Sequence, residues 1–126
     1  MNSLGMGLTA FALTSDTVRA IVTKTSPGCY VLGRSGSDGK FLLRYVGRAD
    51  TDVREGLLEL VGKPSWESPC FKIQYTKTAK DAFQIECTIY HEFRPPENAS
   101  HPASSHDSGW TCPINSAHGG DRDTSQ

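Results

Sequence analysis

The chain has 126 residues, of which 37% are hydrophobic and 21% charged, and a formal net charge of -1 at pH 7. A chain of this length can bury one modest core, which excludes a second large domain. The nearly neutral charge gives no global sign of nucleic-acid affinity, so a nucleic-acid function would have to rest on a local basic patch.

The first 26 residues mix Gly, Thr and Ser with short apolar runs, and we expect an N-terminal arm across the core over residues 1–26. The apolar run at residues 1–13 has no positive residue before it and is far too short to span a bilayer. The sequence therefore predicts neither a secretory signal nor contact with a membrane.

A β-hairpin is predicted next. Pro27 and Gly28 precede the apolar run at residues 29–32, which is typical of a buried strand. The loop at residues 33–39 is rich in Gly, Ser and Asp, which tolerate tight turns. The β-rich run at residues 41–46 follows, so the two runs are expected to pair as an antiparallel hairpin.

A helix, a strand and a second helix follow the hairpin. The acidic cluster at residues 50–52 is an N-cap signal ahead of apolar residues at helical spacing, and Gly62 ends that helix. Residues 70–75 alternate with period two, as a half-buried strand does. Thr78 is the predicted cap of the second helix, and the two prolines at residues 95–96 end it.

One carboxylate of the second helix, that of Glu86, is predicted to lie on the buried side of the helix. At about 100° per residue, one side of this helix collects Ala79, Ala82, Phe83, Ile89, Tyr90 and Phe93. Glu86 lies near the middle of that side, and a buried carboxylate without a partner costs several kcal/mol by order of magnitude. We expect a metal ligand or an acid/base group; the alternatives are a register misjudged by one residue or a glutamate at the rim of the core.

The predicted fold class is α+β, a small and mainly antiparallel three-stranded sheet flanked by helices. The folded domain is expected over residues 27–98. Residues 99–126 hold few apolar side chains and are predicted to be a mostly disordered tail. The four cysteines are widely spaced, and three lie in apolar segments, so we expect reduced thiols and a cytoplasmic protein.

Two short motifs, together with Glu86, resemble those of the GIY-YIG nuclease family. Residues 28–30 read Gly-Cys-Tyr, with Cys in place of the usual Ile, and residues 45–47 read Tyr-Val-Gly. Glu86 falls where the family has its metal-binding Glu. Asn98, which follows a Pro, falls where the excision-repair members have a structural or active-site Asn. The resemblance covers residues 28–98.

This resemblance implies a metal-dependent endonuclease that hydrolyses DNA phosphodiester bonds with one Mg²⁺ or Mn²⁺ ion. Glu86 would bind the metal, Tyr30 would take the proton of the attacking water and Tyr45 would orient that water. A tyrosine with its ordinary pKa is a poor base, so it needs a nearby cation, which Arg48 could provide. Each of these residues also has a purely structural alternative. The tyrosines could pack in the core, Arg48 could be a solvated charge at the end of a strand, and Asn98 could be an ordinary turn residue.

The chain departs from the family at one important position. The family carries an Arg on the first helix that binds the scissile phosphate. Aligned by the apolar pattern this position is Gly56, and aligned by the distance from Gly47 it is nearer Glu55; neither is an arginine. Arg54 is the nearest candidate, but it lies about 160° around the helix from Gly56. The nuclease would therefore be weakened by the loss of this arginine.

The main alternative is a catalytically impaired domain that acts as a nucleic-acid-binding or protein-interaction module. Its phosphate contacts would come from the basic residues Arg34, Lys40, Arg44, Arg48 and Arg54. A third possibility is an enzyme of unrelated chemistry that uses Glu86 as a general acid or base. The chain lacks a second DNA-binding domain, so a homodimer or a partner protein is expected to supply specificity.

A structural zinc site in the tail is a weaker alternative. Its ligands would be His101, His106, Cys112 and His118. These residues lack the close Cys-Cys or His-His spacing that zinc sites usually show.

Overall fold

A computed structural model of the chain describes residues 10–36, 40–98, 102 and 112. Its elements are, in chain order, β1 (Phe11–Ala12), α1 (Ser15–Ile21), β2 (Gly28–Ser35), β3 (Phe41–Ala49), α2 (Val53–Leu60), β4 (Cys70–Tyr75) and α3 (Ala79–Phe93). The fold is α+β with antiparallel strand pairing, as the sequence predicts.

The sheet has four strands in the order β1-β4-β2-β3, so the prediction of three strands is wrong. The additional strand is β1, which pairs with β4 through Phe11 opposite Phe71 and Ala12 opposite Cys70. Two residues are too few to show the alternating pattern by which strands are recognised. The segment predicted as an arm therefore contributes both this strand and α1, whose Val18 is fully buried.

Helices cover both faces of the sheet. On one face, α1 and α2 enclose a core of Leu13, Val18, Val22, Tyr30, Leu32, Val53, Leu57 and Phe71. On the other face, α3 packs on β2 and β3 through a smaller core of Cys29, Val31, Val46 and Ile89. Neighbouring strand residues such as Cys29 and Tyr30 therefore point into different cores.

The predicted caps define the two longer helices. The side chain of Asp52 accepts a hydrogen bond from the Arg54 backbone N–H at 3.0 Å, and Thr78 Oγ1 accepts one from the Asp81 N–H at 3.0 Å. Such bonds satisfy backbone donors that a helix start leaves unpaired. The expected burial of Phe93 is wrong, because it lies in the last turn of α3 and is 43% exposed.

The predicted tail lies mostly outside the described residues. Pro102 and Cys112 are described, and both are buried. Of the proposed zinc ligands, Cys112 is placed, whereas His101, His106 and His118 lie outside the described part of the chain. All four cysteines are free thiols.

Candidate active site at the end of strand β3

Glu86 lies on the buried face of α3, as its helical position predicts. Ala82 and Ile89, one turn before and after it, are fully buried, and Glu86 itself is 7% exposed. The alternative of a misjudged helix register is therefore wrong. A carboxylate at this depth needs a compensating partner inside the protein.

Arg48 supplies that partner from the end of β3. Its Nη1 donates a hydrogen bond to Oε1 of Glu86 at 2.7 Å, and its Nε donates one to Oδ1 of Asp50 at 2.7 Å. The Arg48 side chain is 12% exposed, so the alternative of a solvated charge is wrong. One guanidinium thus binds two carboxylates in charge-assisted hydrogen bonds. We call Arg48, Asp50 and Glu86 the Arg48 cluster.

The charges in the Arg48 cluster are strongly coupled. Burial raises the pKa of Glu86, Arg48 lowers it, and Asp50 raises it again, so that the net shift is upward. Burial lowers the pKa of Arg48, but its hydrogen bonds to Glu86 and Asp50 outweigh burial and leave the pKa raised. Arg48 therefore stays cationic. Burial disfavours the ionised form of Glu86, and a second cation beside its carboxylate would stabilise that form.

Tyr30 and Tyr45 face away from Glu86. Tyr30 belongs to the core that α1 and α2 cover, and Tyr45 packs against that core. Arg48 is paired across the strands with Cys29, whose side chain lies in the core under α3. The expectation that both tyrosines share the sheet face that meets Glu86 is wrong, because successive residues of a strand point to opposite faces.

The Tyr30 side chain extends across β3, the outer strand of the sheet. Tyr30 is paired with Gly47, and a Cβ at residue 47 would lie 2.6 Å from the Tyr30 hydroxyl oxygen. Only a residue without a side chain leaves room for this ring. The Tyr30 and Tyr45 ring centroids are 6.4 Å apart. The glycine of the second motif therefore fixes the tyrosine of the first.

Both tyrosines keep their protons. Burial raises the pKa of Tyr30 well above its usual value, and Tyr45, Glu86 and Glu59 raise it further. Burial also raises the pKa of Tyr45, and again Glu86 adds to the effect. The charge of Glu86 thus affects the pKa of both tyrosines, although their rings lie on the opposite face of the sheet. In this arrangement the phenols are hydrogen-bond donors, which argues against Tyr30 as a base.

Asn98 is bound to the outer edge of β3. Its Oδ1 accepts a hydrogen bond from the Val46 N–H and its Nδ2 donates one to the Val46 carbonyl, each at 2.9 Å. The adjacent Glu97 donates its backbone N–H to the Arg44 carbonyl at 2.9 Å and forms an ion pair with the Arg44 side chain at 2.7 Å. Asn98 therefore holds the chain after α3 against the second motif, which is more than an ordinary turn residue does.

Gly56, where the resemblance to the GIY-YIG family would place an arginine, lies beside Tyr30. A Cβ at Gly56 would lie 3.3 Å from Ala49 Cβ and 3.9 Å from Tyr30 Cε2. Arg54 lies two residues earlier on α2 and so points to another side of the helix. Its Nε is buried and finds no hydrogen-bond partner among the described residues. The α2 side chain whose charge raises the pKa of Tyr30 is that of Glu59, which is an anion and not the cation that an arginine would provide.

The basic residues proposed to contact phosphates do not form one patch. Arg34 and Lys40 are exposed near the loop end of the β2–β3 hairpin. Arg48 lies near the opposite end of β3 and is committed to the Arg48 cluster. The Arg44 guanidinium carbon lies 5.2 Å from the centroid of the Trp66 ring. Arg34 and Lys40 are therefore the accessible members.

The Arg48 cluster offers the kind of ligand that a hard divalent cation prefers. Glu86 and Asp50 provide carboxylate oxygens close to one another, because both bind the same guanidinium. In residues 10–36, 40–98, 102 and 112, no group of three His, Cys, Asp or Glu side chains could hold a metal ion. A cation would thus take one or two carboxylates plus water or substrate oxygens, as Mg²⁺ commonly does.

Sequence reasoning missed Asp50 and Glu59. The sequence places Asp50 in the N-cap signal, but Asp52 is the cap and Asp50 pairs with Arg48. A signal was present, because residues two apart on an extended chain point to the same side. The effect of Glu59 on Tyr30 had no such signal, since it depends on how α2 docks on the sheet.

Comparisons of the chain with protein-family models, with curated proteins and with solved structures find no match. The resemblance to the GIY-YIG family therefore depends on the motifs at residues 28–30 and 45–47, with Glu86 and Asn98. None of the described helices has the length and apolar character needed to cross a membrane.

Proposed function

We propose that this protein is a divalent-cation-dependent endonuclease that hydrolyses DNA phosphodiester bonds at the Arg48 cluster. The observation that carries this proposal is the buried carboxylate of Glu86, paired with the residue that directly follows the Tyr-Val-Gly motif. Burying an ion pair rarely adds net stability relative to apolar packing. Buried, coupled charges are instead common where chemistry takes place.

Glu86 is the main ligand proposed for Mg²⁺ or Mn²⁺, and Asp50 is the second. When bound, the cation would stabilise negative charge on the phosphate and the leaving oxygen. Arg48 offsets part of the negative charge of the two carboxylates; the Glu86 side chain is 10% exposed, whereas that of Asp50 is 42% exposed and open to water. Its planar group also suits a phosphate oxygen.

Tyr30 is proposed to donate a hydrogen bond to the substrate rather than to accept a proton. Its raised pKa favours the neutral phenol, and its hydroxyl lies over Gly47 in the outer strand. A substrate phosphate at this strand would meet Tyr30 from one side of the sheet and the Arg48 cluster from the other. This arrangement would explain why the two motifs and Glu86 occur together although they occupy different faces.

DNA is the proposed substrate, and Arg34 and Lys40 are its proposed phosphate contacts outside the site. Both side chains are exposed, and contacts of this kind position DNA without reading its sequence. Selectivity would then come from a second copy or a partner protein. We place this activity in the cytoplasm, in keeping with the free thiols.

A second candidate is a DNA-binding module without catalysis. It is favoured by Gly56, because Ala49 lies 3.3 Å from the position of its Cβ and leaves little room for an arginine. It is also favoured by Glu59, whose negative charge near Tyr30 opposes a phosphate. Loss of a phosphate-binding arginine can lower phosphoryl-transfer rates by roughly 10³ to 10⁵.

Nicking of supercoiled plasmid separates these candidates. Wild type, Glu86→Gln, Tyr30→Phe and the control Glu92→Gln are compared with Mg²⁺, with Mn²⁺ and with chelator. Glu92 is exposed on the same helix, so its variant controls for the loss of a charge from α3. The nuclease predicts nicking by wild type and Glu92→Gln that chelator and Glu86→Gln abolish. The binding module predicts no nicking and DNA binding that depends on salt but not on chelator.

A further inference from the structure

Two cysteine thiols meet at α3, although 24 residues separate them in the sequence. Cys87 belongs to α3, and Cys112 belongs to the C-terminal segment; both are buried and pack with Phe83 in one apolar cluster. Both cysteines share one apolar environment beside the Phe83 ring. Cys112 therefore packs against the helix that carries Glu86.

This contact adjoins the Arg48 cluster. The guanidinium carbon of Arg48 lies 5.2 Å from the centroid of the Phe83 ring, and Phe83 packs with both cysteines. Cys87 directly follows Glu86 in the chain. A change in the bonding of these thiols would therefore act on residues that touch the Arg48 cluster.

The surroundings of the thiols favour a bond between them over a metal site. A structural zinc site needs four ligands, and the described residues contain no group of three side chains able to hold a metal. A disulfide needs only two sulfur atoms in close approach. The apolar ring of Phe83 suits an uncharged disulfide better than a charged ion.

We propose that Cys87 and Cys112 form a redox-dependent disulfide that fixes residue 112 onto α3 beside the Arg48 cluster. The oxidant is a small-molecule disulfide such as oxidised glutathione. Cys112 loses a proton and attacks one glutathione sulfur, releasing the first glutathione thiol and forming a mixed disulfide. Cys87 then loses a proton and attacks the Cys112 sulfur, releasing the second glutathione thiol. Two protein thiols are oxidised and one glutathione disulfide is reduced.

The order of attack follows from the environment of Cys87. Cys87 is fully buried within α3, whereas Cys112 is 4% exposed and lies outside the described helices. Cys112 is therefore expected to react first. Thiol–disulfide exchange with glutathione is expected to be slow, because both thiols are buried.

The test uses the full chain equilibrated in glutathione buffers of increasing oxidised fraction, then alkylated and digested without reduction. The expected result is a cross-linked peptide pair holding Cys87 and Cys112, together with a rise in Tm of about 10 °C, because the cross-link restricts the unfolded chain. Cys112→Ser should lose both effects. The control Cys70→Ser should keep both, since Cys70 lies outside this cluster.

Three results would overturn the proposal, and none depends on nuclease activity. The first is that Cys87 and Cys112 remain reduced, or carry only glutathione, in fully oxidised buffer. The second is a cross-link through Cys70 in place of this pair. The third is one zinc ion per chain that protects the two thiols from alkylation, which would identify a metal site instead.

Discussion

Nη1 of Arg48 lies 2.7 Å from Oε1 of Glu86 and joins the end of β3 to the middle of α3. Both side chains are almost wholly withdrawn from water, so each charge depends on the other for its stability. The pair therefore links fold and proposed function. Replacing one partner alone is expected to lower the free energy of unfolding, because the other charge stays buried without a partner. Replacing both should restore most of that free energy.

Arg48→Met is expected to lower the free energy of unfolding by about 3–5 kcal/mol, because it leaves Glu86 buried without its cation. Arg48→Met/Glu86→Gln should recover most of that loss. The control is Arg44→Met, whose ion pair with Glu97 is about one-third exposed and should cost about 1 kcal/mol or less. Urea unfolding is measured for wild type, Arg48→Met, Glu86→Gln, the double variant and Arg44→Met. Additive losses in the double variant would show that the pair is not coupled.

The pH dependence of stability should carry the signature of Glu86. Because burial raises its pKa in the folded state, the folded protein holds this proton more tightly than the unfolded chain does. The contribution of Glu86 is thus fully present below the unfolded pKa of about 4.3 and is lost as pH rises through the higher folded value. Wild type should lose stability relative to Glu86→Gln across that window in urea titrations. A relative gain with rising pH would contradict this assignment.

Asn98→Ala is expected to destabilise the protein by about 1–3 kcal/mol, since it removes both hydrogen bonds to the Val46 backbone. Asn98→Asp is the matched variant: it keeps the acceptor but turns a carboxylate oxygen toward the Val46 carbonyl, so it should cost at least as much as Asn98→Ala at neutral pH. Hydrogen exchange at the Val46 amide locates the effect. Unchanged protection of that amide in Asn98→Ala would refute the role of Asn98 at the strand edge.

Restoring an arginine at residue 56 requires space as well as charge. Because Ala49 Cβ lies 3.3 Å from the position of a Cβ at Gly56, Gly56→Arg alone is expected to cost about 1–3 kcal/mol from crowding. Ala49→Gly/Gly56→Arg should regain part of that stability and raise the nicking rate above that of Ala49→Gly. Chemical unfolding and plasmid nicking give the two readouts. A stable double variant with unchanged nicking would show that Gly56 is not the limiting position.

The elements with local signals could be predicted from the sequence. Pro27 and Pro69 precede β2 and β4, and Asp52 and Thr78 mark the starts of α2 and α3. The predicted ends of the first two strands are wrong, because β2 continues through Gly33 to Ser35 and β3 through Gly47 to Ala49. The burial of Glu86 followed from helical phase alone, because its neighbours one turn away are apolar. These features depend on residues close in the chain.

The remaining features depend on how the elements pack. β2 is buried on both faces, so the apolar run at residues 29–32 could not indicate which core receives Tyr30. The two-residue strand β1 is defined by its pairing with β4 rather than by a pattern of its own. The contact of Cys87 with Cys112 likewise depends on the path of the chain beyond α3 and has no local signal.

The central claim is that the Arg48 cluster binds a divalent cation. It is tested most directly by measuring Mn²⁺ binding to the full chain by electron paramagnetic resonance, with a short DNA duplex present. Wild type and Glu92→Gln should bind one ion per chain. Glu86→Gln should weaken that binding by at least about tenfold, since even outer ligands of metal sites contribute about 10–100-fold. Equal Mn²⁺ binding by wild type and Glu86→Gln would contradict the account, because the Arg48 cluster would then not be the cation site.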